Sequence, residues 1–287
     1  TRILYKTRPG QKFVNRLAGK KVYQTFGGAL TFFGVGGAKL DATVEQFLRD
    51  AKFPYAIGYG LTETAPMLAG SNPSMTKFQA IGPKVVDSEV ILKDPDPITG
   101  EGEIWAKGPN IMLGYYKNEK ATSEVLTEDG WFKTGDLGVY DKDGWLTHKG
   151  RLKNMIVGSN GENIYPEEIE SLINNFKHVV ESVVLKKKGK LVAMVHFNRE
   201  ALETRFQEMK ADLTNKMDET RDVANHKFDV ANQKVDELIK ELTKELKNYI
   251  NARVSKTSKI QSVIPHSAPF KKTATLKIKR YLYGDKD

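Results

Sequence analysis

The chain has 287 residues, of which 39% are apolar and 28% are charged, and its formal net charge is +9. This composition is typical of one large or two ordinary globular domains, and it excludes a disordered or fibrous protein. No cysteine is present, which excludes disulfides, cysteine-type zinc sites and thiol nucleophiles. We find no run of about 18 apolar residues and therefore predict no membrane-spanning helix.

The basic balance is compatible with nucleic acid, an anionic membrane surface or a phosphorylated ligand. Basic side chains cluster at 186–188 and 271–280. No zinc-finger, RNP-type or leucine-zipper pattern supports nucleic acid, so we predict none as a partner. A polyanionic small ligand explains the charge at least as well, and solvated lysines without a specific role are the alternative.

The first elements combine apolar runs with glycine-rich turns. Residues 29–35 are predicted to form a buried strand that ends at Gly36-Gly37. Asp41 then caps a predicted helix with one apolar face. Residues 53–60 form a second short strand, and the sequence YGLTET leaves it as a loop.

Residues 80–150 alternate short apolar runs with turn signals, which predicts hairpins in a small sheet or barrel. The predicted strands lie at 89–92, 103–106, 138–140 and 145–147.

A helix and a hairpin are predicted next. Pro166 followed by two glutamates is typical of a helix start, because proline suits the first turn and acids suit its dipole. Strands at 182–185 and 191–197 then form a hairpin around Lys188-Gly189.

Residues 199–260 contain neither glycine nor proline, and their apolar side chains recur mostly at three- and four-residue steps. This pattern predicts a long amphipathic helix, or a helical hairpin bent near Asn225-His226. The apolar stripe is not strongly heptad, which favours packing on its own domain over a partner coiled coil.

Six segments, read in order, resemble the motifs of the adenylate-forming enzymes, which include acyl- and aryl-CoA synthetases, luciferases and peptide-synthetase adenylation domains. The segments are GGAKL (36–40), YGLTET (59–64), GEIWAKGPNIMLGYYKN (102–118), DGWFKTGD (129–136), GRLKNMIVGSNGENIYPEEIE (150–170) and TLKIKR (275–280). Each segment alone is weak evidence, but the ordered set is strong. The resemblance covers most of the chain except the long helical stretch.

The resemblance implies an α/β fold in two parts. Residues 1–150 would be the C-terminal part of the large AMP-binding domain, with a β-rich subdomain at 80–150. Residues 151–154 would be a hinge, and 155–287 a small, mobile α+β domain. The helical stretch at about 199–255 is then expected to be an insertion, so that deleting 204–248 should leave a folded small domain.

In this family, the first motif lies against the nucleotide. The resemblance implies that Gly36, Gly37 and Ala38 line the adenine and the acyl pocket, since glycines let the backbone approach a flat ligand closely. Taken alone, these residues favour an ordinary strand-to-helix turn.

The YGLTET motif implies further nucleotide contacts. By resemblance, Gly58 and Gly60 lie beside the adenine, and the ring of Tyr59 stacks on it. Thr62 would offer its hydroxyl to a phosphate, and Glu63 would serve catalysis as an oxygen ligand of Mg²⁺. The alternative is a solvated loop with a capping threonine.

Two later motifs imply ribose and hinge residues. Asp136 would accept hydrogen bonds from both ribose hydroxyls, since a carboxylate has two acceptor oxygens. Arg151 would reach the ribose or a phosphate, and Lys153 would be the hinge about which the small domain rotates.

The small domain would carry the remaining chemistry. Gly161 would let the pantetheine arm of CoA pass close to the backbone. Lys277 matches the family's adenylation lysine, which neutralises charge on the carboxylate and the α-phosphate in the transition state. Lys279 and Arg280 are the alternatives if the register shifts.

The implied activity is a two-step ligase reaction that uses ATP, Mg²⁺ and CoA to activate a fatty acid, with a long chain favoured over a medium one. Another acid–thiol ligase, a peptide-synthetase adenylation domain and a non-catalytic fragment that binds AMP or a membrane surface are the alternatives. We expect a cytoplasmic protein, or one held peripherally at the inner face of the membrane.

The family's Ser/Thr/Gly-rich phosphate loop is not found in the sequence. We therefore expect that the N-terminal half of the large domain is missing, that this half is a partner, and that the chain alone is inactive.

Overall fold

The computed structural model describes residues 7–158, 160–204, 224–274 and 276–284. The chain divides between Lys153 and Asn154 into two compact units, called unit 1 and unit 2 below. None of the described helices is long and apolar enough to cross a membrane.

The described helices of unit 1 are α1 (Arg8–Thr25), α2 (Ala42–Ala51) and α3 (Glu119–Val125). The cap of α2 is as predicted: the Asp41 carboxylate accepts hydrogen bonds from the backbone N–H groups of Thr43 and Val44. Such a cap satisfies donors that the helix leaves unpaired. The sequence did not predict α3, which begins at Asn118, whose side chain accepts from the Ala121 N–H.

Unit 1 has two described sheets. In the first, β1 (Phe33–Val35) runs parallel to β2 (Tyr55–Tyr59), which pairs antiparallel with β3 (Ala69–Gly70). The second is an antiparallel meander of β4 (Glu89–Lys93), β5 (Gly102–Lys107), β6 (Phe132–Tyr140) and β7 (Leu146–Arg151). The predicted α/β class is therefore confirmed. Strand β1 starts at Phe33 and not at residue 29, and β6 starts six residues before the predicted 138.

Burial fixes which face of the meander points inward. Ile104 and Leu146 are fully buried, and they pack with Leu68 from the loop before β3 in one core cluster. Buried and half-buried residues alternate along β5 and the first half of β6, and the candidate site lies at Asp136 in the middle of β6.

Unit 2 contains a short antiparallel pair, β8 (Ile156–Val157) and β9 (Asn163–Ile164), followed by α4 (Pro166–Asn174). The predicted hairpin is confirmed as β10 (Val179–Lys187) and β11 (Lys190–Phe197), and β12 (Ser262–Pro265) runs parallel to β11. Helix α5 (Ala224–Asn251) completes the described elements, together with helical residues 199–204. Of the predicted stretch 199–260, residues 205–223 lie outside the described part of the chain.

The C-terminal part of α5 belongs to the core of unit 2. Its side chains Val235, Ile239, Leu242, Leu246 and Ile250 are buried against α4 and the β10–β12 sheet. Deleting 204–248 would remove four of them, and each such truncation typically costs about 2–5 kcal/mol. The predicted packing of this stretch on its own domain is confirmed for residues 235–250. That the deletion leaves a folded domain stays a prediction, and these buried contacts count against it.

Candidate functional site

In unit 1, the candidate site forms where three strands bring polar side chains together. Asp136 on β6 pairs in register with Arg151 on β7, and the same strand β7 carries His148. Tyr59, at the end of β2, reaches the same point, where its ring lies 5.7 Å from that of His148. Three of the predicted nucleotide-binding residues, which are far apart in sequence, therefore meet here.

Asp136 is the centre of this group, and it is only 3% exposed. The Tyr59 hydroxyl donates a hydrogen bond to its Oδ2 at 2.8 Å. Arg151 Nε lies 2.8 Å and His148 Nε2 lies 3.5 Å from its Oδ1. Neither nitrogen is aligned to donate, so this buried oxygen accepts no hydrogen bond from the described residues. An unsatisfied buried acceptor is costly, and a hydroxyl donor would satisfy it.

The surroundings fix the protonation states at this point. Burial raises the pKa of Asp136, but His148 and the charge of Arg151 outweigh it, so the pKa lies below its ordinary value. Burial and then the Asp136 charge raise the pKa of Tyr59. At neutral pH, Asp136 is therefore an anion and Tyr59 a neutral donor.

Glu63 lies on the 3₁₀ turn Thr62–Thr64 that follows β2. Its backbone carbonyl accepts a hydrogen bond from Met112 at 2.8 Å, and its Oε1 accepts one from the Tyr115 hydroxyl at 3.0 Å. Burial and this bond raise the pKa of Tyr115. Its Oε2 has no partner among the described residues, and no described group of three or more ligating side chains surrounds it.

The glycine-rich segments after β1 and at the end of β2 approach each other closely through backbone atoms. Gly36 and Gly37 follow β1, and an added Cβ at Gly36 would lie 3.3 Å from the Gly58 carbonyl oxygen. Ala38 is exposed beyond them. The strand-to-helix turn at 36–38 therefore lies beside the end of β2, as parallel pairing of β1 and β2 requires.

Lys153 is exposed on the 3₁₀ turn Leu152–Asn154 and is the last residue of unit 1. In unit 2, Gly161 lies in the turn between β8 and β9 with a φ of 82°, in the left-handed region that favours glycine. Lys277 is exposed, and its ammonium forms no ion pair with any residue in the described part of the chain.

Arg280, one of the alternatives to Lys277 in the C-terminal basic cluster, is held by acidic side chains. Its guanidinium binds the Glu170 carboxylate and lies 3.6 Å from Glu167 Oε1. A guanidinium held in this way has few donors left for a substrate, whereas the Lys277 ammonium has no ionic partner in the described part of the chain. The geometry therefore favours Lys277 over Arg280 as the free cation.

One part of unit 1 is similar to a known protein family. Residues 7–116 match the family described as AMP-binding enzyme, and this range contains the glycine motifs and the Thr62–Thr64 turn. Asp136 and Arg151 lie outside the matched range, so the match and the geometry are independent observations.

Curated relatives of this chain include ligases for different acids. The long-chain-fatty-acid–CoA ligase 1 of Saccharomyces cerevisiae is 34% identical over 187 residues, which cover 63% of this chain and 27% of the relative. The 2-succinylbenzoate–CoA ligase of Listeria innocua is 37% identical over 155 residues, covering 53% of this chain and 32% of the relative. The chain thus spans about a third or less of these relatives' length.

Among solved structures, the O-succinylbenzoate coenzyme A synthetase of Bacillus subtilis in complex with ATP and magnesium superposes with a TM-score of 0.64. The match covers 87% of this chain and 45% of that one, at 24% identity. At this identity the likeness shows the adenylate-forming fold.

His148 and Tyr115 are site residues that the sequence analysis did not single out. Tyr115 lies within the segment 102–118 that carried the resemblance, but nothing in that segment shows that it contacts Glu63. His148 lies three residues before Arg151 on β7. In a regular pleated strand, residues at this odd spacing point to opposite faces. A β-bulge between Leu137 and Gly138 changes the register there, so the sequence alone could not pair His148 with Asp136.

Gly60 has a steric role that can be tested directly. A Cβ at this position would lie 1.6 Å from the carbonyl oxygen of Pro66, which is a backbone atom that cannot swing away. We expect Gly60→Ala to lower the free energy of unfolding by about 1–3 kcal/mol, as overpacking does, measured by urea denaturation. Gly284→Ala, where a Cβ meets no atom within 4 Å, is the control. Equal stability of both variants would contradict the tight turn.

The raised pKa of Tyr59 predicts a pH-dependent contribution to stability. The folded state retains the phenol proton above about pH 10, where the unfolded chain loses it. The contribution of the Tyr59–Asp136 bond is therefore complete below about pH 10 and declines as the pH rises towards the folded pKa. We expect the stability difference between the parent and Tyr59→Phe to shrink from pH 9 to 11, by up to about 1.4 kcal/mol per pH unit. A constant difference, measured by chemical denaturation, would contradict this assignment.

Proposed function

We propose that the chain forms the AMP-binding and C-terminal parts of an ATP-dependent acid–CoA ligase. The observation that carries this proposal is the buried, anionic Asp136, which has one unsatisfied acceptor oxygen beside Arg151 and Tyr59. A vicinal diol such as ribose would satisfy that oxygen. The family match over residues 7–116 supports the same assignment.

The proposed nucleotide site has a clear division of roles. Asp136 accepts from the ribose hydroxyls, and Arg151 holds the ribose or a phosphate. The adenine lies against Tyr59, and Thr62 donates to a phosphate. The backbone at the remaining positions allows close approach to the ring: Gly36, Gly37, Ala38, Gly58 and Gly60.

Mg²⁺ is the proposed metal, and the donor chemistry fits it. Mg²⁺ is often held by only one or two carboxylates together with substrate phosphates, and Glu63 Oε2 is an oxygen without a partner among the described residues. When bound, the ion neutralises phosphate charge. Glu63 orients this contact, and Tyr115 holds the Glu63 carboxylate in place through its hydroxyl.

The proposed reaction has two steps. A carboxylate oxygen of the acid bonds to the α-phosphorus of ATP while pyrophosphate leaves, and the Lys277 ammonium neutralises charge on the reacting oxygens. The deprotonated CoA thiol then bonds to the acyl carbon, and AMP leaves with the bonding electron pair. In the second step, Lys153 serves as the hinge and Gly161 lies beside the pantetheine arm.

For the acid, we propose a long-chain fatty acid, supported by the yeast relative; 2-succinylbenzoate is the alternative, supported by the Listeria relative. Pyrophosphate release should be measured with ATP, Mg²⁺ and a panel of both acid types. The assay uses this chain and an N-terminally extended version that includes a phosphate-binding loop. We expect activity with long-chain acids in the extended protein. Activity only with 2-succinylbenzoate would replace the long-chain fatty acid as the proposed substrate. Absence of pyrophosphate release with every acid would contradict the ligase proposal.

A second candidate function is AMP binding without turnover. It requires only the group around Asp136, whose contacts fit a ribose without any catalytic residue. AMP binding without pyrophosphate release in both versions would support it. We place the protein in the cytoplasm or peripherally at the inner membrane face.

A further inference from the structure

We propose that two buried carboxylates of unit 2, Glu170 on α4 and Glu181 on β10, are positioning residues that hold the turn bearing Lys277. The Lys277 turn is defined here by Thr273, Leu276 and Lys277. This inference rests on the proposed role of Lys277 in adenylation. Its structural content, a turn held at both ends, can be tested separately.

Glu181 holds the segment that enters the turn. It is only 7% exposed, and its Oε1 accepts a hydrogen bond from the backbone N–H of Phe270 at 2.6 Å. Its Oε2 lies 2.5 Å from the Lys272 ammonium. One carboxylate thus fixes both the backbone and a side chain just before the turn, and charge-assisted bonds of this kind are stronger than neutral ones.

Glu170 holds the segment that leaves the turn. Its Oε1 accepts from the Val184 N–H at 2.6 Å and from Arg280 Nη1 at 2.7 Å. The other terminal nitrogen of Arg280 contacts Oε2, which makes the pair bidentate. Arg280 Nη1 also lies 3.3 Å from the Val184 carbonyl oxygen. The end of the turn is therefore fastened to both α4 and the β10 strand, and planar bidentate pairing fixes its orientation.

Between these anchors, hydrogen bonds within the turn hold its backbone together. The Thr273 N–H donates to the Lys277 carbonyl at 2.8 Å, and the Lys277 N–H donates to Thr273 Oγ1 at 3.2 Å. The Lys279 N–H donates to the Lys271 carbonyl at 2.9 Å. Leu276 has a φ of 61°, which a leucine adopts only under constraint from its surroundings.

The charges on either side of the turn leave one cation exposed. Lys272 and Arg280 are neutralised by the two buried carboxylates, whereas the Lys277 ammonium has no ionic partner in the described part of unit 2. Burying charged pairs adds little net stability compared with apolar packing. The two buried ion pairs at the ends of the turn are therefore better explained by a role in orienting Lys277 than by a gain in folding stability.

The test uses the isosteric variants Glu170→Gln and Glu181→Gln, with Glu241→Gln on the exposed face of α5 as the matched control. Amide hydrogen exchange of this chain is followed by NMR at Leu276, Lys277 and Lys279, and at core amides of β10 and β11. We expect about 10-fold faster exchange in the turn for each variant, the effect of losing one charge-assisted bond, with core amides and the control unchanged. Unchanged turn amides, or equal acceleration throughout unit 2, would overturn the proposal.

A kinetic arm separates this inference from the ligase proposal. In the extended protein, we expect each variant to lower kcat for acyl-AMP formation about 10-fold while KM for ATP is unchanged, because Lys277 is displaced without loss of the nucleotide site. If Glu170→Gln fails to fold, Arg280→Gln replaces it at that anchor. If Glu181→Gln fails to fold, Lys272→Gln replaces it at the other anchor. Loss of turn protection without any effect on kcat would overturn the positioning role. Absence of activity in the parent protein would instead count against the proposed function alone.

Discussion

Replacing Asp136 by asparagine is expected to reduce the affinity of this chain for AMP about 10- to 100-fold. The substitution preserves the shape of the side chain but removes the charge that accepts from the ribose, and hydrogen bonds to a charged group contribute about 1.5–3 kcal/mol. It also leaves Arg151 beside a neutral amide, 2.8 Å from the former Oδ1 position. Isothermal titration calorimetry with AMP measures the effect.

The control for this variant is Glu128→Gln. Glu128 is exposed in the turn before β6, close in sequence to the segment that carries Asp136. The Glu128→Gln substitution removes one negative charge from unit 1, as Asp136→Asn does, but leaves the buried Asp136 group intact. AMP affinity should therefore be unchanged. Equal affinity of Asp136→Asn and the parent would contradict the assignment of the ribose to this carboxylate.

Replacing Lys277 by alanine is expected to lower the rate of acyl-AMP formation about 10²- to 10³-fold, with AMP affinity retained. A preorganised cation beside developing negative charge contributes on this scale to transition-state stabilisation. The effect should appear in kcat, because charge on the reacting oxygens increases only as the bond forms. Pyrophosphate release in the N-terminally extended protein is the measurement.

Lys279→Ala and Lys271→Ala accompany this variant. Lys279 is the alternative lysine in the same segment, and its backbone bonds to Lys271. We expect both variants to retain activity within about threefold of the parent, the scale of a surface charge change. A larger loss in Lys279→Ala than in Lys277→Ala would contradict the register on which the site assignment rests.

Local patterns in the sequence predicted much of the fold. The Asp41 cap, the helix that starts at Pro166 and the hairpin around Lys188-Gly189 all follow from short-range chemistry, and the structure contains each of them. The buried side of α5 was not predictable, because its partners lie in β11 and β12. The predicted amphipathic helix and its packing on its own domain are confirmed for the C-terminal part of α5.

The candidate site was predictable as a set of residues but not as an arrangement. The resemblance named Tyr59, Asp136 and Arg151 separately, and the structure joins Tyr59 to Asp136 across 77 positions of sequence. The contact between Glu170 and Arg280 spans 110 positions. Contacts at this separation depend on strand register and on which helix faces the sheet, and neither is encoded in a local motif.

Formation of acyl-CoA is the most direct test of the central claim. The extended protein is incubated with ATP, Mg²⁺, CoA and a long-chain fatty acid, and the products are identified by mass spectrometry. The account predicts acyl-CoA, AMP and pyrophosphate in equal amounts, and their loss in Lys277→Ala. Pyrophosphate and acyl-AMP without any thioester would contradict it, because the protein would then activate an acid without passing it to CoA.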